Sequence, residues 1–152
     1  MGTSKTVRRK VKVWLVILII IGVAALGAAI ALLADAPERR ELQELTIGNV
    51  DFTKLRNGTY TGEYNGTKGS SRNAAVEVTI YGGEITEIKI LKGALDSSGT
   101  PSELKNGMTI DDLFQRVIES KSLQVDVISG ATLSSRAHLK ALENALKQAQ
   151  DE

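Results

Sequence analysis

Cysteine is absent from the 152 residues of this chain, and histidine occurs only once. The lack of cysteine excludes disulfides, cysteine-ligated zinc, iron–sulfur clusters, c-type haem, a thiol nucleophile and a lipid-modified cysteine. A single histidine also excludes a metal site that needs several histidine ligands. The length leaves room for one ordinary domain, whose modest core does not suit a large enzyme with several sites.

Acidic residues are missing from residues 1–12, and no charged residue of either sign occurs between Val13 and Ala34. A helix over this apolar run would be about 33 Å long, enough to cross a ~30 Å hydrocarbon core. Trp14 lies at its first edge, where an indole ring favours the headgroup region. The basic residues that precede the run are Lys5, Arg8, Arg9, Lys10 and Lys12.

This pattern predicts a basic cytoplasmic segment over 1–12, a single transmembrane helix over 13–34 and, by the positive-inside rule, a C-terminal domain outside the cytoplasm. A cleaved signal peptide is the alternative, because Ala34-Asp35-Ala36 fits a small-x-small cleavage site. The apolar part of a signal peptide is usually ~7–15 residues long, so the longer run favours an uncleaved anchor in the cell membrane. No binding to nucleic acid is expected, because the basic segment adjoins an apolar run.

A helix start is indicated after the apolar run, with Asp35 as N-cap, Pro37 in the first turn and Glu38 in the capping-box position. We therefore expect a short helix over 38–45 within a juxtamembrane linker over 35–49. The domain itself is expected over 50–152.

Three segments predict strands. Residues 58–64 are rich in Thr and Tyr, and apolar and polar residues alternate over 74–81 and 85–91. The last two flank Gly82-Gly83 and so form a hairpin. Together with the helices that follow, these strands predict an α+β fold with an antiparallel sheet and two main helices.

The loop of this hairpin can be argued from the rule that paired residues share a face of the sheet. A two-residue loop with regular pairing would place Val76 opposite Lys89 and mix core with solvent. A three-residue loop, Tyr81-Gly82-Gly83, pairs Val76 with Ile88 and places Gly83 in the left-handed conformation. We therefore expect the three-residue loop.

The second half of the chain predicts a long surface loop over 95–107 and then a helix that starts at Thr109, with Asp112 in capping-box position. A short strand is expected over 125–128. The last helix is expected to begin with Ser134 or Ser135 as its cap and to end near Gln148.

The segment from Asp126 to Ser135, DVISGATLSS, combines small residues and hydroxyls directly before this last helix. A helix N-terminus presents backbone N–H groups and a partial positive charge, and so suits a phosphate. A serine-capped helix after a glycine turn explains the same residues without any ligand. From spacing alone, both interpretations stay open.

This segment closely resembles the flavinylation motif of the FMN-binding domain family, in which an Asp, two residues and Ser-Gly-Ala-Thr precede a further hydroxyl. The segments 57–64 (NGTYTGEY) and 76–91 (VEVTIYGGEITEIKIL) resemble the same family, although Asn57 stands where the family often has an acid. The similarity covers roughly residues 50–146. The matching motif residues are Asp126, Ser129, Gly130, Ala131, Thr132 and Ser134.

The resemblance implies a bacterial flavoprotein that carries FMN through a phosphoester bond to Thr132, attached by a flavin transferase that uses FAD. Asp126 would help to position or deprotonate the hydroxyl. The other residues expected around the cofactor are Ser129, Gly130, Ala131, Leu133, Ser134 and Ser135.

By the same resemblance, the chain is an electron carrier that works with a membrane redox partner, quinone-linked or a transmembrane electron carrier. Two other functions stay open: a tethered binding or structural module without covalent flavin, and a small flavin-dependent reductase. Tyr60 and Tyr64 share a strand face and would either contact the flavin or pack the sheet. His138 is expected to be solvated or to cap a helix.

Overall fold

A computed structural model describes the backbone of residues 4–150 and the side chains of residues 13–150. The basic side chains of the segment 1–12 therefore lie outside the described residues. The chain divides into two compact units, one that ends at Pro37 and one that begins at Glu38. The elements within the described residues are α1 Ser4–Glu44, β1 Gly58–Tyr64, β2 Ala74–Tyr81, β3 Glu84–Lys92, α2 Ile110–Ser120 and α3 Thr132–Gln150.

The strands form one antiparallel sheet in the order β1-β2-β3, and the fold is α+β as the sequence predicts. The predicted bounds of β1 and β2 agree with the structure, and β3 is one residue longer at each end. The helix α3 packs on β1 and β2, and α2 contacts α3 and β3. The core lies between the sheet and these helices and includes Val76, Val78, Ile80, Leu113, Phe114, Leu142 and Leu146.

The first unit is an apolar helix whose large side chains are exposed from Val13 to Leu33. The stretch Val13–Glu44 of α1 is long and apolar enough to cross a membrane, with a mean hydropathy of 3.0 over its most apolar window. A signal sequence has the same properties.

The predicted helix start at Asp35 is wrong, because α1 continues through Pro37 to Glu44. Proline removes one backbone donor from a helix interior, and side-chain contacts made after Pro37 stabilise the last turns. Glu38 and Leu42 are both almost completely buried within the second unit. Residues 38–49 therefore pack with the domain, whereas the sequence places them in a linker.

Two side chains of α3 hold the chain that leaves α1. Arg136 donates through Nη1 to the carbonyl oxygens of Gln43 and Leu45, at 3.0 and 3.1 Å. The buried carboxylate of Glu143 accepts hydrogen bonds from the Gly48 amide and from the ammonium groups of two lysines of α3. Burial alone would raise the pKa of Glu143, but these donors outweigh it and lower the pKa. The end of α1 is thus fixed against α3.

The loop of the hairpin has two residues, not three. Tyr81 pairs with Glu84, and Gly82 and Gly83 both have positive φ, at 65° and 79°. An extra residue in β3, Thr86, forms a bulge next to the turn, and its hydroxyl donates to the carbonyl of Thr79. The left-handed conformation expected for Gly83 is confirmed.

The bulge also changes the expected pairing of β2 with β3. Val76 pairs with Ile90 instead of Ile88, and Val78 pairs with Ile88. Apolar residues therefore still face apolar residues, and the rule that paired side chains share a face holds. After a two-residue turn, the extra residue in β3 brings the apolar residues of the two strands back opposite each other. An argument from loop length alone does not anticipate such a bulge.

The turn makes a test possible at two adjacent glycines. Gly82→Asn should leave the stability of the full chain in detergent nearly unchanged, because Asn suits the first position of such a turn and the site is open. Gly83→Val should lower the free energy of unfolding by about 1 kcal/mol, because a β-branched residue is strained at positive φ. Urea unfolding followed by circular dichroism measures both. Equal losses of stability in the two variants would contradict the two-residue turn described for this hairpin.

The helix α2 starts as predicted. The Thr109 amide donates to the Asp112 carboxylate at 2.7 Å and the Asp112 amide donates to the Thr109 side chain, which together form the capping box. The Thr109 hydroxyl also donates to this carboxylate, at 3.2 Å. The segment 95–107 is an irregular loop with two isolated bridges, as expected.

The predicted strand over 125–128 does not form. Side chains bind its backbone instead of a neighbouring strand: Arg116 donates to the Asp126 carbonyl, and the Ile128 amide donates to the hydroxyl of Ser135. Ile128 is nonetheless fully buried, so the apolar pattern indicates its burial correctly.

Candidate functional site

The last helix begins three or four residues earlier than predicted, since the cap was expected at Ser134 or Ser135. Its first residue is Thr132, and the Ser135 amide donates to the carbonyl of Ala131 at 2.9 Å, which places Ala131 in the N-cap position. The predicted cap at Ser134 or Ser135 is therefore wrong. The Ser135 hydroxyl is buried, accepting from the Ile128 amide at 3.2 Å and donating to the Ala131 carbonyl at 3.0 Å. Ser135 thus stabilises the turn before α3.

Gly130 makes this turn possible. Its φ is 80°, and the Ala131 amide closes the turn on the Ile128 carbonyl at 2.9 Å. A Cβ at Gly130 would lie 2.9 Å from the Lys105 side chain, so a larger residue would be both strained and crowded. The glycine brings the chain close to Lys105 immediately before the first turn of α3.

Thr132 lies on the wall of a cavity of about 560 Å³. This cavity joins the first turn of α3 to the end of α1 and to the loop before β2. Thr132, Leu133 and Ser134 are half-buried there. The lining residues are Arg39, Gln43, Arg72, Leu104, Gly130, Ala131, Thr132, Leu133 and Ser134.

Two arginines, Arg39 and Arg72, give the cavity that Thr132 lines a cationic wall. Arg72 bonds through Nη1 to the Glu38 carboxylate at 2.8 Å, and its amide donates to the same carboxylate at 3.0 Å. Glu38 also accepts a hydrogen bond from the Ser71 hydroxyl at 2.5 Å. The amides of a first helical turn lack partners within the helix, so the wall and the helix end together suit an anion.

The structure brings together five of the eight predicted site residues, namely Gly130, Ala131, Thr132, Leu133 and Ser134. Ser135 lies in the core, and Ser129 is exposed without lining the cavity. Asp126 lines other cavities, beside Arg116 and Gln124. A role for its carboxylate at Thr132 remains a prediction.

The prediction from sequence did not include four residues that line the cavity: Arg39, Gln43, Arg72 and Leu104. Arg39 and Gln43 lie in a segment assigned to a linker, and Arg72 lies in a loop rich in glycine and serine. Glu38 and Arg72, which pair, are 34 residues apart in sequence, and no local pattern indicates such a contact.

Tyr60 and Tyr64 do not line this cavity. Tyr60 contacts the core, and Tyr64 is buried in it.

The sequence predicted that His138 is solvated or caps a helix, but the structure buries His138 almost completely. Its Nδ1 lies 2.8 Å from the carbonyl of Ser134, and its Nε2 accepts from the Ala94 amide at 3.3 Å. These partners require the neutral ring with its proton on Nδ1. Burial lowers the pKa of His138, against the opposing effect of the Ser134 carbonyl. The ring therefore links the first turn of α3 to the chain after β3.

This arrangement predicts a loss of stability in weak acid. The unfolded chain takes up a proton at His138 more readily than the folded chain, so the free energy of unfolding falls as the pH drops below about 6.5. Urea unfolding of the full chain in detergent at about pH 7.5 and 5.5 should show a lower midpoint at the acidic value. His138→Gln should reduce this difference. An equal difference in the variant would contradict the assignment.

Comparison with known proteins identifies the family. The FMN-binding domain family matches residues 69–147, which is more than half of the chain. NADH:acrylate oxidoreductase from Vibrio harveyi is 33% identical over 113 residues, which cover 74% of this chain and 10% of that protein. The chain therefore belongs to the FMN-binding domain family, and membership indicates FMN binding and a role in electron transfer. It spans about a tenth of the length of that relative.

The residues of the cavity fit FMN. The Thr132 hydroxyl and two arginines line the cavity and offer polar and cationic groups to a phosphate, and Gly130 adds no side chain beside Thr132. Leu104 and Leu133 offer apolar contacts for a ring system. Within the described residues, no group of His, Asp and Glu side chains is arranged for a metal ion.

Proposed function

We propose that this protein is a membrane-anchored electron carrier with FMN joined to Thr132 through a phosphoester bond. One observation carries the proposal: Thr132 is the first residue of α3 and lines the same cavity as Arg39 and Arg72. Of the groups in FMN, the phosphate suits this set best, because a hydroxyl can form its ester while a helix N-terminus and two guanidinium groups bind its charge.

The attachment is a transfer of FMN from FAD by a separate flavin transferase. The Thr132 oxygen forms a bond to the flavin-side phosphorus, the P–O–P bond of FAD breaks, AMP leaves, and the hydroxyl proton passes to a base. A threonine hydroxyl is a weak nucleophile by itself, so the transferase supplies this activation. In this proposal Asp126 acts during transfer, and the small residues Gly130 and Ala131 leave room for the enzyme.

When bound, FMN supplies the redox chemistry, and the protein positions it and adjusts its surroundings. Arg39 and Arg72 neutralise the phosphoester charge. The rigid turn at Gly130 and the Ser135 hydroxyl fix the backbone at Thr132. Leu104 and Leu133 exclude water from one side of the cavity.

The exposed apolar helix supports a membrane anchor. Its large side chains between Val13 and Leu33 are exposed, and such a surface is stable in lipid but not in water. With the basic segment 1–12 in the cytoplasm, the FMN domain would lie outside the cell membrane. A tethered carrier of this kind exchanges electrons with a membrane redox partner.

Intact-mass measurement of the full chain tests the proposal. Protein co-expressed with a flavin transferase should gain the mass of FMN minus water, and fragmentation should place the addition on Thr132. Protein expressed without the transferase serves as the control and should keep its unmodified mass. Absence of the addition in both samples, or its location on a serine, would refute the covalent site.

A further inference from the structure

We infer that the end of α1 forms part of the FMN site: Arg39 and Arg72 bind the phosphate group, and Glu38 is a positioning residue for Arg72. The inference rests on the proposed function, because it assigns partners to the phosphate on Thr132. It extends the site to residues 38–43, which precede the part of the chain matched by the family.

The geometry brings these arginines to one place from two distant segments. Arg39 belongs to the last turns of α1, and Arg72 lies two residues before the start of β2. Both line the cavity that also holds Thr132 and Ser134. Arg136 fixes the end of α1 by its hydrogen bonds to Gln43 and Leu45, so the wall that carries Arg39 is held against α3.

Glu38 orients Arg72 and holds its loop. The Glu38 side chain is 5% exposed, and it binds the Arg72 guanidinium, the Arg72 amide and the Ser71 hydroxyl. A Cβ at Gly69 would lie 2.9 Å from the Glu38 carboxyl carbon, so the loop packs tightly around this carboxylate. A guanidinium has five N–H donors and can bind more than one partner, and Glu38 and the Ser71 hydroxyl both hold the Arg72 Nη1.

The arginines that line the cavity have the charge sign that a phosphate ester requires. A phosphodiester carries one negative charge, and Arg39 and Arg72 are cations. Arginine binds phosphate oxygens through a planar fork of donors, and hydrogen bonds between charged groups are stronger than neutral ones. The group therefore recognises the phosphate of the flavin and not its ring.

A comparison of FMN with riboflavin tests this inference without covalent attachment. The full-length Thr132→Ala protein in detergent is titrated with each flavin, and binding is followed by flavin fluorescence. Riboflavin lacks the phosphate, so the ratio of the two affinities measures the phosphate contacts. We expect FMN to bind at least about tenfold more tightly, and Arg39→Gln to remove most of this preference.

Arg40→Gln is the matched control, because it removes the same charge from the neighbouring position, which does not line the cavity. It should keep the preference for FMN. Arg72 is tested by the double variant Glu38→Gln, Arg72→Gln, which avoids an unpaired buried carboxylate. Glu38→Gln alone should reduce the preference less than the double variant.

Each outcome decides the matter. Three results would each overturn the inference. The preference for FMN could fall equally in Arg39→Gln and Arg40→Gln, it could stay unchanged in Arg39→Gln, or the Thr132→Ala parent could show no such preference. Attachment is judged separately by the mass of the wild-type chain. If flavin is found on another residue while the preference still depends on Arg39, the covalent site fails and the arginine site stands.

Discussion

Thr132→Ala is expected to abolish covalent flavin completely in protein co-expressed with the transferase. The reason is chemical, because the phosphoester needs a hydroxyl oxygen and alanine has none. The fold should remain, since Thr132 is half-buried at the first position of α3, outside the buried core of the described residues. Intact mass and flavin fluorescence in a denaturing gel measure the result.

Two variants serve as controls for this experiment. Thr132→Ser keeps a hydroxyl and should retain part of the flavin. Ser134→Ala should retain nearly all of it, because Ser134 stands within the first helical turn and its carbonyl, not its side chain, binds His138. The sequence alone predicted Ser134 or Ser135 as the cap of α3, and loss of a capping Ser134 would then cost about 1 kcal/mol. With Ala131 in the cap position, we expect a smaller effect.

If Thr132→Ala still gains the mass of FMN minus water, the acceptor is another hydroxyl. Ser129 is then the first candidate, because it is exposed, whereas Ser135 is fully buried and bonded on both sides. Loss of flavin in both Thr132→Ala and Ser134→Ala would indicate a damaged helix end instead. Comparable circular dichroism spectra of the two variants would exclude that explanation.

The elements that the sequence predicted well depend on neighbouring residues. The strands β1 and β2 follow from alternation and composition, and the start of α2 follows from Thr109 and Asp112, which lie three residues apart. The motif around Thr132 is likewise continuous in sequence. Its five central residues consequently line one cavity in the structure.

The elements that the sequence predicted poorly depend on contacts between residues that are far apart in the chain. Glu38 and Leu42 keep α1 helical past Pro37 through packing with the domain, although the local pattern around Asp35 indicates a new helix. Ser135 binds the amide of Ile128 and so cannot serve as the expected cap. Tertiary contacts outweigh local preference at these positions.

The cationic wall of the cavity could not be predicted from local sequence patterns either. Arg39 and Arg72 are 33 positions apart in the printed sequence and belong to segments with no recognisable motif. Only the fold of the second unit places both on one cavity with Thr132. The proposed attachment residue, Thr132, could be named from the sequence, and the arginines that line its cavity could not.

The packing of α3 on the sheet gives the largest expected effect on stability. A Cβ at Gly62 would lie 2.1 Å from the carbonyl oxygen of Ala141 and 2.3 Å from the amide nitrogen of Ala145. Both are backbone atoms of α3, so no side-chain rotation relieves the contact. Gly62→Ala should therefore destabilise the chain by about 3 kcal/mol or more, because the helix must move away from β1.

Gly82→Ala is the matched control, since it adds the same methyl group where no heavy atom lies within 4 Å. It should cost only about 1 kcal/mol, from its positive φ. Because α3 carries Thr132 at its first turn, Gly62→Ala should also lower flavin loading, whereas Gly82→Ala should not. Urea unfolding and intact mass of the full chain in detergent measure the two effects. Equal stability of the two variants would mean that α3 does not press its backbone against β1, and the position of Thr132 would then need another support.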